Sequence, residues 1–435
     1  MAGGICRDMA LDGQVGEPAR DALIEPNAPP AGWRVFLAVL GPGLVVMFAD
    51  TDVGSIITAA QSGTEWGYRL LLLQVLLIPV LYVVQELTVR LGVFTGKGHG
   101  ELIRQQFGRG WAWLSVSGLG IATLGALLTE FSGAAGVGEL FGVPRAASLT
   151  ASAAFLLVVV LTGSYRHVER VAIFLGLFEL AFFIVAYQAH PRAGELVAGI
   201  AHLPLHDRRY LYLLAANIGA VIMPWMIFYQ QSAVADKKLQ PRHYRAARWD
   251  TAIGAVITQA VMAAVLISAA ATIGKRFARA SLDSIGEVTA VLAAVMGPDI
   301  GRVVFGIGTL GAAMVAAIVV SLAAAWGFGE VTGHRHSLEH HPFEAPWFYG
   351  IYSASIISGA VVVGCVPNLV ELNLGVEVMN ALLLPLVLGF LVLLAFRALP
   401  EEHRPRGVYA WIVVAVSLLT AGLGVYGGLA GVHLF

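Results

Sequence analysis

Two apolar segments of helical length, far apart in the chain, each carry a helix breaker and a potential cation ligand near the middle. The first runs from Trp33 to Ser62 and holds Asp50-Thr51-Asp52-Val53-Gly54-Ser55; the second runs from about Tyr210 to Ser232 and holds Ala220-Val221-Ile222-Met223-Pro224-Trp225. An acid in hydrocarbon costs several kcal/mol and persists only where it meets a partner, water or an ion. Gly54 and Pro224 loosen the backbone at the same depth and free carbonyls that need partners. A carboxylate, a thioether and bare carbonyls can then converge on one cation, as at the midplane site of a secondary transporter. Each residue also has a structural use. Met223 could fill a gap in the core, Asp52 or Ser55 could cap the following half-helix, and Asp50 could serve as a cap, a vestibule group, a second ion contact or a proton site.

The rest of the chain must hold those segments in lipid. Of its 435 residues 57% are hydrophobic and 13% charged, and the mean hydropathy is +0.76, more apolar surface than one soluble core can hide. That defines an integral membrane protein. Net charge of −1 argues against nucleic acid as a partner, and two cysteines, Cys6 and Cys365, give no disulfide framework or zinc motif. No nucleophile stands with a base and an orienter, so an enzyme is not expected. No cofactor is expected beyond an ion as cargo.

A window of about 20 residues predicts eleven spans, near 33–62, 68–93, 111–140, 147–164, 168–189, 210–232, 250–273, 301–329, 346–366, 375–397 and 408–433. Residues 1–32, polar and proline-bearing, read as a flexible cytoplasmic tail. Most Lys and Arg, among them Lys97, Arg104, Arg166, Lys237 and Arg248, fall on the side of the amino terminus, which places that terminus in the cytoplasm. The first and sixth spans then enter from opposite sides. Spans 1–5 and 6–10 form inverted halves of a core over 33–400, with residues 401–435 as an eleventh helix. Trp33, Trp66, Trp111, Trp113, Trp347 and Trp411 read as interfacial anchors, and the histidines of His334–His341 as a solvated loop.

The chain resembles a known family at these residues. Gly41-Pro42-Gly43 through Asp52-Val53-Gly54-Ser55 to Trp66-Gly67-Tyr68 looks like the first helix of Nramp (natural resistance-associated macrophage protein) transporters, whose Asp-Pro-Gly-Asn precedes a Phe-Gly-Tyr. Arg90-Leu91-Gly92-Val93-Phe94-Thr95-Gly96-Lys97, Tyr165-Arg166 with Glu169, and Gly219-Ala220-Val221-Ile222-Met223-Pro224 match further pieces in order. The resemblance implies an all-α, LeuT-like inverted 5+5 fold that imports divalent transition metals, manganese or iron, by proton symport through the inner membrane. It implies ion ligands at the Asp52 carboxylate, the Met223 sulfur and the carbonyls of Ala49 and Ala220, with Ser55 where the family has Asn. A thioether adds a soft contact from which magnesium and calcium gain little.

Departures concern protons. The family's two histidines on the sixth helix are Trp225 and Gln230 here, gate or vestibule positions, and its acidic pair on the third reads Glu130 and Gly133. The tenth-helix Gln falls at Leu383. Metal ligands are kept and most of the relay is lost, so proton coupling is expected to be weak, absent or rerouted, with Glu130, Glu179 and Asp50 as the acids left to carry it. Gly54 and Pro224 are the expected hinges. A monomer is expected. The alternatives are a same-fold transporter of another ion such as magnesium, and a membrane metal sensor that does not transport.

Overall fold

The computed structural model describes residues 41–162, 164–201, 203–272, 297–365 and 370–432. The expected tail, Cys6, Trp33 and the charged link through Lys275 and Glu287 lie outside those residues. Among the described residues every regular element is helical. The first passage is broken into α1 (Pro42–Asp50) and α2 (Val53–Trp66), followed by α3 (Leu71–Thr95), the short α4 (His99–Phe107), α5 (Arg109–Leu140) and α6 (Arg145–Leu161). The fifth passage is α7 (Tyr165–Gly176), a 3₁₀ turn (Leu177–Leu180) and α8 (Ala181–Gln188). After α9 (Ala193–Ala201) the sixth is broken into α10 (Arg208–Val221) and α11 (Pro224–Asp236). Then come α12 (Tyr244–Thr272), α13 (Pro298–Thr332), α14 (Pro346–Cys365), α15 (Val370–Arg397) and α16 (Gly407–Val432).

Local chemistry sets the ends. Pro42 opens α1, where its missing N–H costs nothing. α3 runs through Pro79 and stops on Gly96 at φ 64, a left-handed position that suits glycine. Nine helical stretches among the described residues are long and apolar enough to cross a membrane, Val53–Thr95 being one continuous stretch, and the apolar α6 is shorter at 17 residues. The protein is therefore a multi-pass membrane protein.

The broken sixth passage lies at the centre: 94% of its most apolar stretch is buried inside the protein, against 22% for α16 at the rim. α1 and α2 pack on α12, α10 on α15 and α16, and α11 on α3 and α13. Val158, Phe174, Ile184 and Leu418 point outward, an apolar belt suited to lipid. Trp111, Trp113, Trp347 and Trp411 are exposed as expected of anchors, but Trp66 is buried edge-on against Tyr210. It packs the end of α2 onto the start of α10 rather than facing lipid.

Candidate functional site

The first break falls on Thr51 and Asp52, and the second on Ile222 and Met223, which are extended. Asp52 caps α2: its Oδ1 accepts the Ser55 N–H at 2.7 Å, while Oδ2 has no hydrogen-bond partner in a fully buried setting. The second break follows from covalent structure. In an unbroken helix the Ala220 carbonyl would accept an N–H from residue 224, and Pro224 has none. The Ser55 hydroxyl donates to that carbonyl at 2.9 Å instead, a direct bridge between the two breaks. Met223, fully buried, stands at the N-cap of α11 three positions on.

Ala49 is treated similarly. The Val53 N–H, its natural helical donor, turns to Glu130 Oε2 at 3.4 Å. Glu130 Oε1 meanwhile accepts the Thr129 hydroxyl at 3.1 Å. Gly133, one turn further along α5, has a reason to be glycine: a Cβ there would lie 2.3 Å from Val53 Cγ2. The space of the missing second acid is thus filled by the start of α2.

A further buried acid, Glu377, enters from α15. Glu377 Oε1 would lie 2.2 Å from a Cβ on Gly54, with Asp52 Oδ1 at 3.5 Å from the same point. Its Oε2 accepts the Asn380 Nδ2–H at 3.1 Å and Oε1 is unpartnered. Gly219 lets α15 approach this closely, since a Cβ there would meet the Glu377 carbonyl at 1.9 Å. Glu377 was missed in the sequence, although it is the one charge between Glu371 and Arg397 in an apolar run. Leu383, the position assigned from the resemblance, lies about two turns further along and is partly exposed towards Gly118 of α5. Gly54 lies inside α2 rather than at the break, and its bare Cα makes room for Glu377.

The other named residues flank this centre. Asp50 ends α1 and Glu179 lies in the 3₁₀ turn; both are buried, and none of their four carboxyl oxygens has a hydrogen-bond partner. Gln230 is tied into the core, accepting the Thr88 hydroxyl at 3.0 Å and donating to Thr251 Oγ1 at 2.9 Å. Trp225 is fully buried. His336 Nδ1 contacts the His334 carbonyl and His334 Nδ1 the Thr332 hydroxyl, so the loop histidines turn to local partners. Among the described residues no three His, Cys, Asp or Glu side chains gather closely enough to hold a metal alone.

The centre is closed at both ends. At the far face Arg209 and Glu65 form a 2.7 Å ion pair between α10 and α2. Asn217 donates to Ser62 Oγ at 2.8 Å just below. At the face where α1 begins, Asp250 of α12 accepts the N–H groups of Gly41, Gly43 and Leu44 at 3.3, 2.8 and 3.3 Å. Lys237 at the end of α11 pairs with Glu169 of α7 at 2.8 Å.

Two opposed, interrupted helices at the core of a multi-pass bundle define a LeuT-like transporter fold. Solved structures agree: a manganese transporter from Eremococcus coleocola superposes with a TM-score of 0.74 at 18% identity, covering 93% of this chain and 88% of that one. Mhp1, a nucleobase-cation-symport-1 family transporter, gives 0.60 at 13% identity, covering 91% of each chain. The profile described as natural resistance-associated macrophage protein-like matches residues 43–430. The chain belongs to the Nramp family. The divalent metal cation transporter MntH of Klebsiella pneumoniae (strain 342) is 27% identical over 430 residues, 94% of this chain and 98% of that relative. MntH of Erwinia tasmaniensis is 30% identical over 246 residues, 55% of this chain and 60% of the relative.

Proposed function

We propose that this protein is a secondary transporter that carries divalent transition-metal ions of the manganese or iron class across the cytoplasmic membrane by alternating access. The observation that carries the reading is the Ser55–Ala220 bridge, which joins two breaks whose remaining free groups are Asp52 Oδ2 and the Met223 thioether. Ser55 donates to the Ala220 carbonyl, so both oxygens stand together where a cation at the breaks would meet them. Ala49 supplies a further carbonyl. Asp52 and Glu377 together offer two negative charges, which balance one divalent ion in a low-dielectric site. Met223 contributes the soft contact that separates manganese from calcium and magnesium.

Glu377 also favours a second reading, magnesium as cargo, because it adds a hard anionic oxygen that suits that ion. Calorimetric titration of the purified protein with manganese, cadmium, magnesium and calcium decides between them. Asp52→Ala should weaken manganese binding by at least about a hundredfold, the cost of removing a buried charge partner. Met223→Ala should keep magnesium binding and lose about tenfold of the preference for manganese and cadmium, one modest contact. Unchanged manganese affinity in Asp52→Ala would end the metal reading, and tighter magnesium than manganese binding in the wild type would favour the second. The Lys and Arg bias supports a cytoplasmic amino terminus, and the fold works as a monomer in this account.

A further inference from the structure

Glu179 is a fully buried acid outside the metal site, and the chain spends structure to place it. The fifth passage leaves α-helical geometry at Leu177–Leu180, around this residue. A mid-helix 3₁₀ stretch of this kind marks a functional or strained segment. Two glycines seat the turn: a Cβ on Gly176 would lie 2.4 Å from Phe48 Cγ of α1, and one on Gly311 of α13 would lie 2.6 Å from the Leu175 carbonyl. The turn is thereby clamped between the end of α1 and α13.

Asp50 occupies that end of α1. Its carboxyl adds negative charge where the helix already presents its carbonyls, the less favourable end for an anion. Glu179 lies within electrostatic reach of Asp50 and Asp52, and Asp50 within reach of Asp52 and Glu377. The Thr51 hydroxyl faces Glu179 and the Thr258 hydroxyl faces Asp50, each short of an aligned hydrogen bond. Those two hydroxyls meet at 2.6 Å. The charged residues of α13 (Asp299, Arg302, Glu330) and of α12 (Arg245, Arg248, Asp250) stand towards the ends of those helices, so neither helix brings a cation to this depth.

We propose that Glu179 and Asp50, with the Thr51 and Thr258 hydroxyls, form a second cation subsite that takes a sodium-like, hard monovalent cation and couples it to the metal at Asp52. Every donor is oxygen, which gives no advantage to a transition metal. The hydroxyls are neutral ligands that an alkali cation uses and a proton does not. A divalent ion of the hard class would demand six or more oxygens, water among them. Coupling follows from position. A cation held here ties the end of α1 to the fifth passage and orders the break that carries Asp52, so the metal no longer bears that ordering cost.

The inference rests on the metal-transport reading, and its test separates the two. Full-length protein in liposomes takes up manganese under an inward sodium gradient, under potassium, and under an inward proton gradient without sodium. Sodium should speed wild-type uptake at least about fivefold, the low end of ordinary coupling. Glu179→Gln should lose that stimulation while its calorimetric manganese affinity stays within about twofold of wild type. Should Glu179→Gln fail to bind manganese, Thr258→Val, which removes one hydroxyl and no charge, must raise the sodium concentration for half-stimulation. A wild type that binds manganese but responds only to protons, or to neither gradient, overturns the sodium site alone. A wild type that binds no manganese overturns both readings, and full sodium stimulation in Glu179→Gln and Thr258→Val overturns the assignment to these residues.

Discussion

Asp52 divides its work between two oxygens, one capping α2 and one left free. The structural and the ion-binding use of this residue are therefore compatible. The breaks beside Asp52 and at Met223-Pro224 were legible in the sequence because their cause is local: a breaker and a capping acid within a few positions need no tertiary information. Glu377 was not placed, because a helix can present any of its faces to the centre and packing against Gly54 and Gly219 selects this one. Its charge gives a prediction. Glu377→Gln keeps size and an oxygen while removing the second anion, so manganese affinity should fall about tenfold and magnesium affinity further, since magnesium depends more on hard anionic oxygen. Titration of the variant with both ions measures this. Equal affinities in variant and wild type would show that Glu377 only packs against α2.

At the scale of elements, α1 is a nine-residue helix whose beginning is held by one carboxylate from another helix. Three amide donors that would otherwise be orphaned converge on Asp250, where the helix end also favours negative charge. Sequence reading started the seventh span at residue 250 and gave this acid no role, since its partners are more than two hundred positions away. The 3₁₀ interruption at Leu177–Leu180 was equally hidden. Glu179 was noticed as a buried acid, but the turn is set by what Gly176 and Gly311 allow to approach. Asp250→Asn keeps one acceptor oxygen and sets a donor against the same amides in place of the other, so it should cost about 1 kcal/mol of stability, the net worth of a hydrogen bond. It should also let α1 swing more freely about the Thr51–Asp52 break. A cysteine placed at the buried Val46, with Cys6 and Cys365 replaced, should react faster with a water-soluble thiol reagent in the Asp250→Asn background. Equal rates would mean that the cap stabilises α1 without restraining its motion.

Across the whole molecule the half-helices are tied in opposite ways. α2 and α10 are joined to each other by Glu65 and Arg209, whereas α1 is held by α12 and α11 by α7. Opening the far face requires the first tie to break, and opening the other face requires the remaining two. Hydropathy exposed the passages and, through their count, the inverted arrangement, because it averages over many residues; the ties are single pairs such as Glu65 and Arg209, 144 positions apart. The same global view bears on what drives transport. Where the family resemblance puts histidines, Trp225 is packed in the core and Gln230 is bound to Thr88 and Thr251. Where it puts a second acid, Val53 fills the space beside Gly133. Glu130 keeps its carboxyl but spends it on Val53 and Thr129. Among the described residues those positions supply no chain of titratable groups from the two breaks to either face, so on the proposed reading proton movement with the metal should be small. Liposomes loaded with a pH-sensitive dye and driven by a manganese gradient should acidify by well under about one proton per ion. Acidification at or above one proton per ion would require a conducting route, and Glu130 is the acid whose Gln variant should then abolish it.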